Sequence, residues 1–145
     1  YNRQLEKVNE LEKAQKAFVL RPSRLVPIKR LEKDPEKMQE MYKLEGTVLT
    51  VVLPQDVDHP VTDLVRRETD HIINQNYIRK IVFDFTHTEF MDSSGVGLLM
   101  GRYRAMGMRK ESIQAVGVSR HIDRLLHLSG LHRYIEIQKA EEEEA

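Results

Sequence analysis

Residues Ile81-Val82-Phe83-Asp84-Phe85 are apolar at nearly every position and lie between two segments of helical periodicity. A strand of this kind is covered on both faces, because a half-exposed strand would alternate apolar with polar residues. Before it, Val48 to Leu53 reads as a strand ended by Pro54, and Pro60 to about Gln75 as a helix with Val61, Leu64, Val65 and Ile72 on one stripe. After it come a helix from Val96 to Met106 and a strand from Ile113 to Val118. Ser119 then caps a helix bearing Ile122, Leu125, Leu126 and Leu128, closed by Gly130. Ile135-Glu136-Ile137 is a last short strand. Strands alternating with helices imply an α/β layer architecture with parallel pairing.

The first 40 residues have another character. Leu5, Val8, Leu11 and Ala14 recur at helical spacing among charges, which predicts a solvent-facing amphipathic helix over 2–16. Ala17 to Leu20 is a short strand candidate, stopped by Arg21-Pro22-Ser23. Asp34-Pro35 is a helix start, and that helix is expected to run to about Tyr42. The segment is thus expected to be a helix-strand-helix extension. Lys13 to Arg30 contains basic but no acidic residues and reads as a solvated face. Residues 140–145 are a charged, acidic tail, expected to be disordered.

Bulk properties narrow the function. The 145 residues suit one domain, and 40% apolar residues can support a core. Equal numbers of acidic and basic residues, 23 each, give no global field toward nucleic acid or an anionic membrane. The absence of cysteine removes thiolate catalysis, disulfides and zinc–thiolate sites, and fits a reducing cytoplasm. No apolar run approaches the roughly 20 residues of a membrane span, and no signal-peptide pattern is expected. Because the chain starts at Tyr1, the numbering is expected to begin inside a longer gene product.

Asp92-Ser93-Ser94-Gly95-Val96-Gly97 follows the buried strand and opens a helix. Free N–H groups of a first helical turn favour negative charge. A serine hydroxyl there can be a helix cap, a nucleophile or a phosphate acceptor. A nucleophile elbow centred on Ser93 needs glycine where Met91 stands, and no histidine is marked as its base. A dinucleotide loop needs glycine where Met100 stands. Gly97 and Gly101 share a helix face and are read as allowing close packing on the sheet, with Gly97 also flattening the surface beside the serines. The six histidines are scattered without a metal-ligand pattern, and Asp56 and Asp58 suit capping in a strand-to-helix loop. No cofactor is implied. Capping and phosphoacceptor roles both remain open on pattern alone.

Phe90-Met91-Asp92-Ser93-Ser94-Gly95-Val96-Gly97 resembles the signature of the STAS domain of bacterial anti-sigma-factor antagonists. The resemblance continues through Gly101-Arg102-Tyr103, Val118-Ser119, Ile122-Asp123-Arg124-Leu125-Leu126 and Leu128-Ser129-Gly130-Leu131, with Asp56-Val57-Asp58-His59 upstream. It spans about residues 41–139 and implies a STAS-like mixed sheet flanked by helices. It further implies phosphorylation of Ser93 by an anti-sigma factor with serine kinase activity, release of the sigma factor by the unphosphorylated form, and resetting by a serine phosphatase. Asp92 would position the Ser93 hydroxyl or cap the helix; Ser94 and Gly95 would shape the loop for the kinase, Asp58 would lie on the same docking surface, and Gly97 would count among the partner-binding residues. The chain would be a kinase substrate and not an enzyme. Pro54-Gln55 and Lys110-Glu111 depart from the family by standing where glycines are usual.

Phe18-Val19-Leu20-Arg21-Pro22-Ser23 and Arg30 to Lys37 are similar to the C-terminal end of bacterial patatin-like phospholipases, whose catalytic residues have no match here. Residues 1–40 are therefore expected to be a non-catalytic extension of a fusion or chimera, which either extends the STAS sheet edge with its strand near Phe18 or packs separately. The rival readings are a STAS interaction scaffold without a phosphoswitch and a fragment of a patatin-like lipase.

Overall fold

The computed structural model describes residues 23–25 and 41–141. The expected helix over 2–16, the strand at Ala17–Leu20, the body of the helix from Asp34 and residues 142–145 lie outside the described residues. Eight strands and three α-helices follow one another among those described. They are β1 (Ser23–Leu25), β2 (Tyr42–Glu45), β3 (Val48–Val52), β4 (Asp56–Val57), α1 (His59–Gln75), β5 (Lys80–Asp84), β6 (Phe90–Met91), α2 (Ser93–Ala105), β7 (Ile113–Val118), α3 (Arg120–Leu128) and β8 (Glu136–Lys139).

Six strands form one mixed sheet in the order β1-β2-β3-β5-β7-β8. β1, β2 and β3 pair antiparallel, and β3, β5, β7 and β8 pair parallel. Each parallel step is bridged by a helix, as a crossover between parallel strands requires. Tyr42 opens β2 instead of ending a helix; Met41, just before it, is helical. The β2–β3 hairpin turns at Gly46, whose φ of 63° suits glycine in a tight turn. The extra edge strand is β1 at Ser23–Leu25, where the sequence predicts a break.

The core is built on the central strands. Leu49, Val51, Ile81, Phe83, Ile113 and Ala115 are fully buried, and Ile122, Leu126 and Leu131 close one end. Helix α1 buries Thr62, Val65, Glu68, Thr69 and Ile72, so its inward stripe is partly polar. Val61 and Leu64 of the predicted stripe are only half-buried. Leu128, also predicted as apolar stripe, is 78% exposed, because the buried face of α3 runs through Ile122 and Leu126.

The polar part of the α1 stripe has a partner on α2. The Arg102 guanidinium is buried and donates to Thr69 Oγ1 at 3.2 Å and to the Asp70 carboxylate. That bridge fixes α2 against α1 and hence the ends of the two helices relative to each other.

Candidate functional site

A second, two-stranded ladder lies outside the main sheet. β4 and β6 run parallel, with Asp56 opposite Phe90 and Val57 opposite Met91. The loops leading into them are joined: the Gln55 carbonyl accepts the N–H groups of Glu89 and Phe90 at 2.8 and 3.0 Å, and Thr88 Oγ1 donates to the Pro54 carbonyl at 2.8 Å. Pro54-Gln55 thus anchors the neighbouring loop.

Each short strand runs into an aspartate cap and a helix. Asp58 caps α1 and accepts the Val61 N–H at 3.3 Å. Asp92 caps α2 and accepts the Ser94 N–H at 2.9 Å and the Ser94 hydroxyl. The Asp92 N–H donates to the Val57 carbonyl at 3.2 Å, which carries the ladder one residue further and brings the two caps side by side. The result is a pair of adjacent helix N-termini, both favourable to negative charge.

Helix α2 begins at Ser93, three residues before its predicted start. Ser93 is exposed, and its hydroxyl has no hydrogen-bond partner among the described residues. Ser94 is half-buried and tied to Asp92. Of the two alternatives for Asp92, helix capping is realised, and the hydroxyl it holds is that of Ser94. The Ser94 hydroxyl and N–H, with the nearby His59 side chain as a smaller influence, hold the Asp92 carboxyl below the usual carboxylate range.

The glycines divide sharply. Gly95 is buried, and a Cβ there would collide with the Met91 side chain, so this residue allows the close approach of α2 to β6. Gly97 is exposed and Gly101 half-buried, and a Cβ at either would meet nothing within 4 Å. The expected role of Gly97 and Gly101 in close helix–sheet packing is therefore corrected: a side chain at either would have room, so neither is needed for a close approach, and Gly97 leaves bare backbone one turn from Ser93. Phe90, 48% exposed on β6, is an exposed apolar side chain two residues before the Asp92 cap.

Asp58, Asp92, Ser93 and Ser94 thus gather at the paired helix starts, with Gly95 beneath them and Gly97 one turn along. Sequence reasoning passed over His59, Phe90 and Arg102. The repeated order of strand residue, aspartate cap and helix start in Val57-Asp58-His59 and Met91-Asp92-Ser93 is the signal that marks His59. Among the described residues, no group of three His, Cys, Asp or Glu side chains is placed to hold a metal ion. No helix among them is long and apolar enough to cross a membrane.

The STAS domain model matches residues 39–144. The chain belongs to the STAS domain family. A second family model, Domain of unknown function (DUF6363), matches residues 1–45. The anti-sigma F factor antagonist of Paenibacillus polymyxa is 34% identical over 90 residues, covering 62% of this chain and 77% of that protein. The anti-sigma-B factor antagonist of Listeria monocytogenes is 33% identical over 60 residues, 41% of this chain and 53% of that protein. The anti-sigma factor antagonist SpoIIAA in its unphosphorylated form superposes with a TM-score of 0.58 at 26% identity, covering 65% of this chain and 82% of that one. The Bacillus cell fate determinant SpoIIAA in the phosphorylated form gives a TM-score of 0.53 at 26% identity, with 65% and 85% covered. The STAS match contains both aspartate caps, both serines and the buried Arg102.

Proposed function

We propose that this STAS protein is an anti-sigma-factor antagonist, a regulatory binding protein and not an enzyme, controlled by reversible phosphorylation of Ser93. The observation that carries the reading is the division of labour between adjacent serines: Asp92 engages Ser94, while the Ser93 hydroxyl stands exposed at the start of α2. The names of the Paenibacillus and Listeria relatives support the antagonist class, and the existence of SpoIIAA in a phosphorylated form supports a phosphoserine switch.

In this reading an anti-sigma factor with serine kinase activity docks on Asp58, Asp92, Ser94, Gly95 and Gly97, with Phe90 at the rim. Ser93 Oγ attacks the γ-phosphorus of the ATP held by that partner. The bond to the ADP oxygen breaks, the serine proton leaves, and phosphoserine and ADP result. The added group carries about −1.5 to −2 charges at pH 7. A partner carboxylate about 6 Å away then costs roughly 1 kcal/mol at the dielectric of water and roughly 4–5 kcal/mol at an effective dielectric of about 20, a loss of at least about fivefold in affinity. The helix N-terminus offsets part of the charge in the free protein, so the switch acts on the interface while the fold persists. A serine phosphatase resets it. Residues 1–40 form a non-catalytic extension to the STAS domain of 41–139, and 140–145 an acidic tail.

The test compares wild type and Ser93→Ala binding to candidate anti-sigma kinases by calorimetry, with ADP and then with Mg-ATP. The reading requires that ATP dissolve the wild-type complex and leave the Ser93→Ala complex intact. A complex indifferent to ATP in both forms makes the chain a scaffold. Ester hydrolysis lost on Ser93→Ala makes it a lipase fragment.

A further inference from the structure

We propose that His59 is the intramolecular counter-cation for a phosphate on Ser93. The inference rests on the reading of Ser93 as phosphoacceptor and assigns a role to a residue on the neighbouring helix.

The geometry begins with the β4–β6 ladder. Val57 lies opposite Met91, and the Asp92 N–H still donates to the Val57 carbonyl, so the two chains stay in step past the strand ends. His59 and Ser93 each follow an aspartate cap, and each is the first residue of its helix. Paired strands lie about 4.8 Å apart; the Asp92–Val57 hydrogen bond carries this pairing up to the caps, and His59 and Ser93 are the residues that follow. Both residues are exposed. The same proximity is felt at Asp92, whose carboxyl is held down in part by the His59 side chain.

Charge then singles out His59. Across residues 54–65 and 84–101 the only side chains able to carry a positive charge are His59 and His87. His87 sits in the loop before β6, next to Thr88, which is bound to Phe85 and Pro54 at the opposite end of the short ladder from Asp92. Of these two, His59 is the one at the Asp92 end of the ladder. The groups around it are acidic: Asp92 from the α2 cap, Asp56 on β4, and Asp58 and Asp63 on its own element. Asp63 is already paired with Arg66 and Arg67 further along α1. A doubly charged phosphate placed among these carboxylates raises the demand for a proton, and the imidazole is the base that can take it near neutral pH. Phosphorylation of Ser93 therefore makes exposed His59 the protonated partner of the phosphate.

The experiment installs phosphoserine at position 93 by genetic encoding, so it needs no kinase and remains informative if kinase recognition fails. The His59 ring and the phosphate are titrated by proton and phosphorus NMR. The His59 midpoint is expected to rise by about one pH unit on phosphorylation. The phosphate midpoint is expected to be lower with His59 than in His59→Gln, and His59→Lys, which keeps the charge, is expected to restore the lower value. Thermal unfolding of the variants checks that each is folded. Equal phosphate midpoints in wild type and His59→Gln, or a His59 midpoint unmoved by the phosphate, overturn the proposal. Whether Ser93 is a kinase target is read separately, from phosphate incorporation with ATP.

Discussion

The Asp92 carboxylate takes both polar groups of Ser94, its N–H at 2.9 Å and its hydroxyl, and leaves the hydroxyl of adjacent Ser93 exposed. Two neighbouring serines of identical chemistry are thereby given different work. Ser94 belongs to the cap that starts α2, whereas Ser93 contributes nothing to it beyond its backbone.

Stability should register this division. Ser93→Ala is expected to change the unfolding free energy by less than about 0.5 kcal/mol, as for a surface site without a structural contact. Ser94→Ala removes a hydrogen bond to the capping carboxylate and is expected to lower the unfolding midpoint measurably. Chemical denaturation of the two variants side by side checks the order.

Asp92 gives a pH signature. Its folded-state pKa is depressed, chiefly by the Ser94 hydroxyl and N–H. Its contribution is therefore fully present above the unfolded carboxylate pKa of about 3.9 and is lost as pH falls through the lower folded value. The stability difference between wild type and Asp92→Asn should be constant at neutral pH and shrink below about pH 4. Thermal melts from pH 2.5 to 7 measure it.

Gly95 and Gly97 should respond in opposite directions to the same substitution. Gly95→Ala drives a methyl into the Met91 side chain and destabilises, and its cost should be smaller when measured in a Met91→Ala background, where that side chain is gone. Gly97→Ala fills open space in a helix and should stabilise by about 0.4–1 kcal/mol. If bare backbone one turn from Ser93 serves docking, the Gly97 variant also binds its partner more weakly while melting higher. Denaturation and calorimetry on the same samples separate the two effects.

Arg102→Ala is expected to cost about 2–3 kcal/mol. It removes charge-assisted hydrogen bonds and buried packing between α2 and α1. Asp70 is half exposed and can return to water, which keeps the cost below that of a fully buried pair. Urea unfolding measures it.

The regular parts of this fold were legible because their periodicity is strong. Ile113–Val118 is a strand as predicted, and the helix expected from Pro60 to about Gln75 is α1. β4 and β6 were not legible, since two residues carry no period, and they are the pieces that bring Asp58 beside Asp92. The start of α2 was hidden by Ser-Ser-Gly, residues of poor helix propensity that are held by the Asp92 cap and by packing on Met91. Thr62, Glu68 and Thr69 escaped the apolar stripe because an inward face was sought among apolar residues, while part of this face meets an arginine. The motif around Ser93 was visible at once; that Ser94 occupies the Asp92 carboxylate required three dimensions.

The measurement that tests the central claim most directly is peptide mass after incubation with an anti-sigma kinase and Mg-ATP, with the complex followed in parallel by gel filtration. One phosphate on Ser93, none on Ser94, and dissociation of the complex are the predicted result. Phosphate on Ser94, or a complex that persists after Ser93 is modified, would contradict the account.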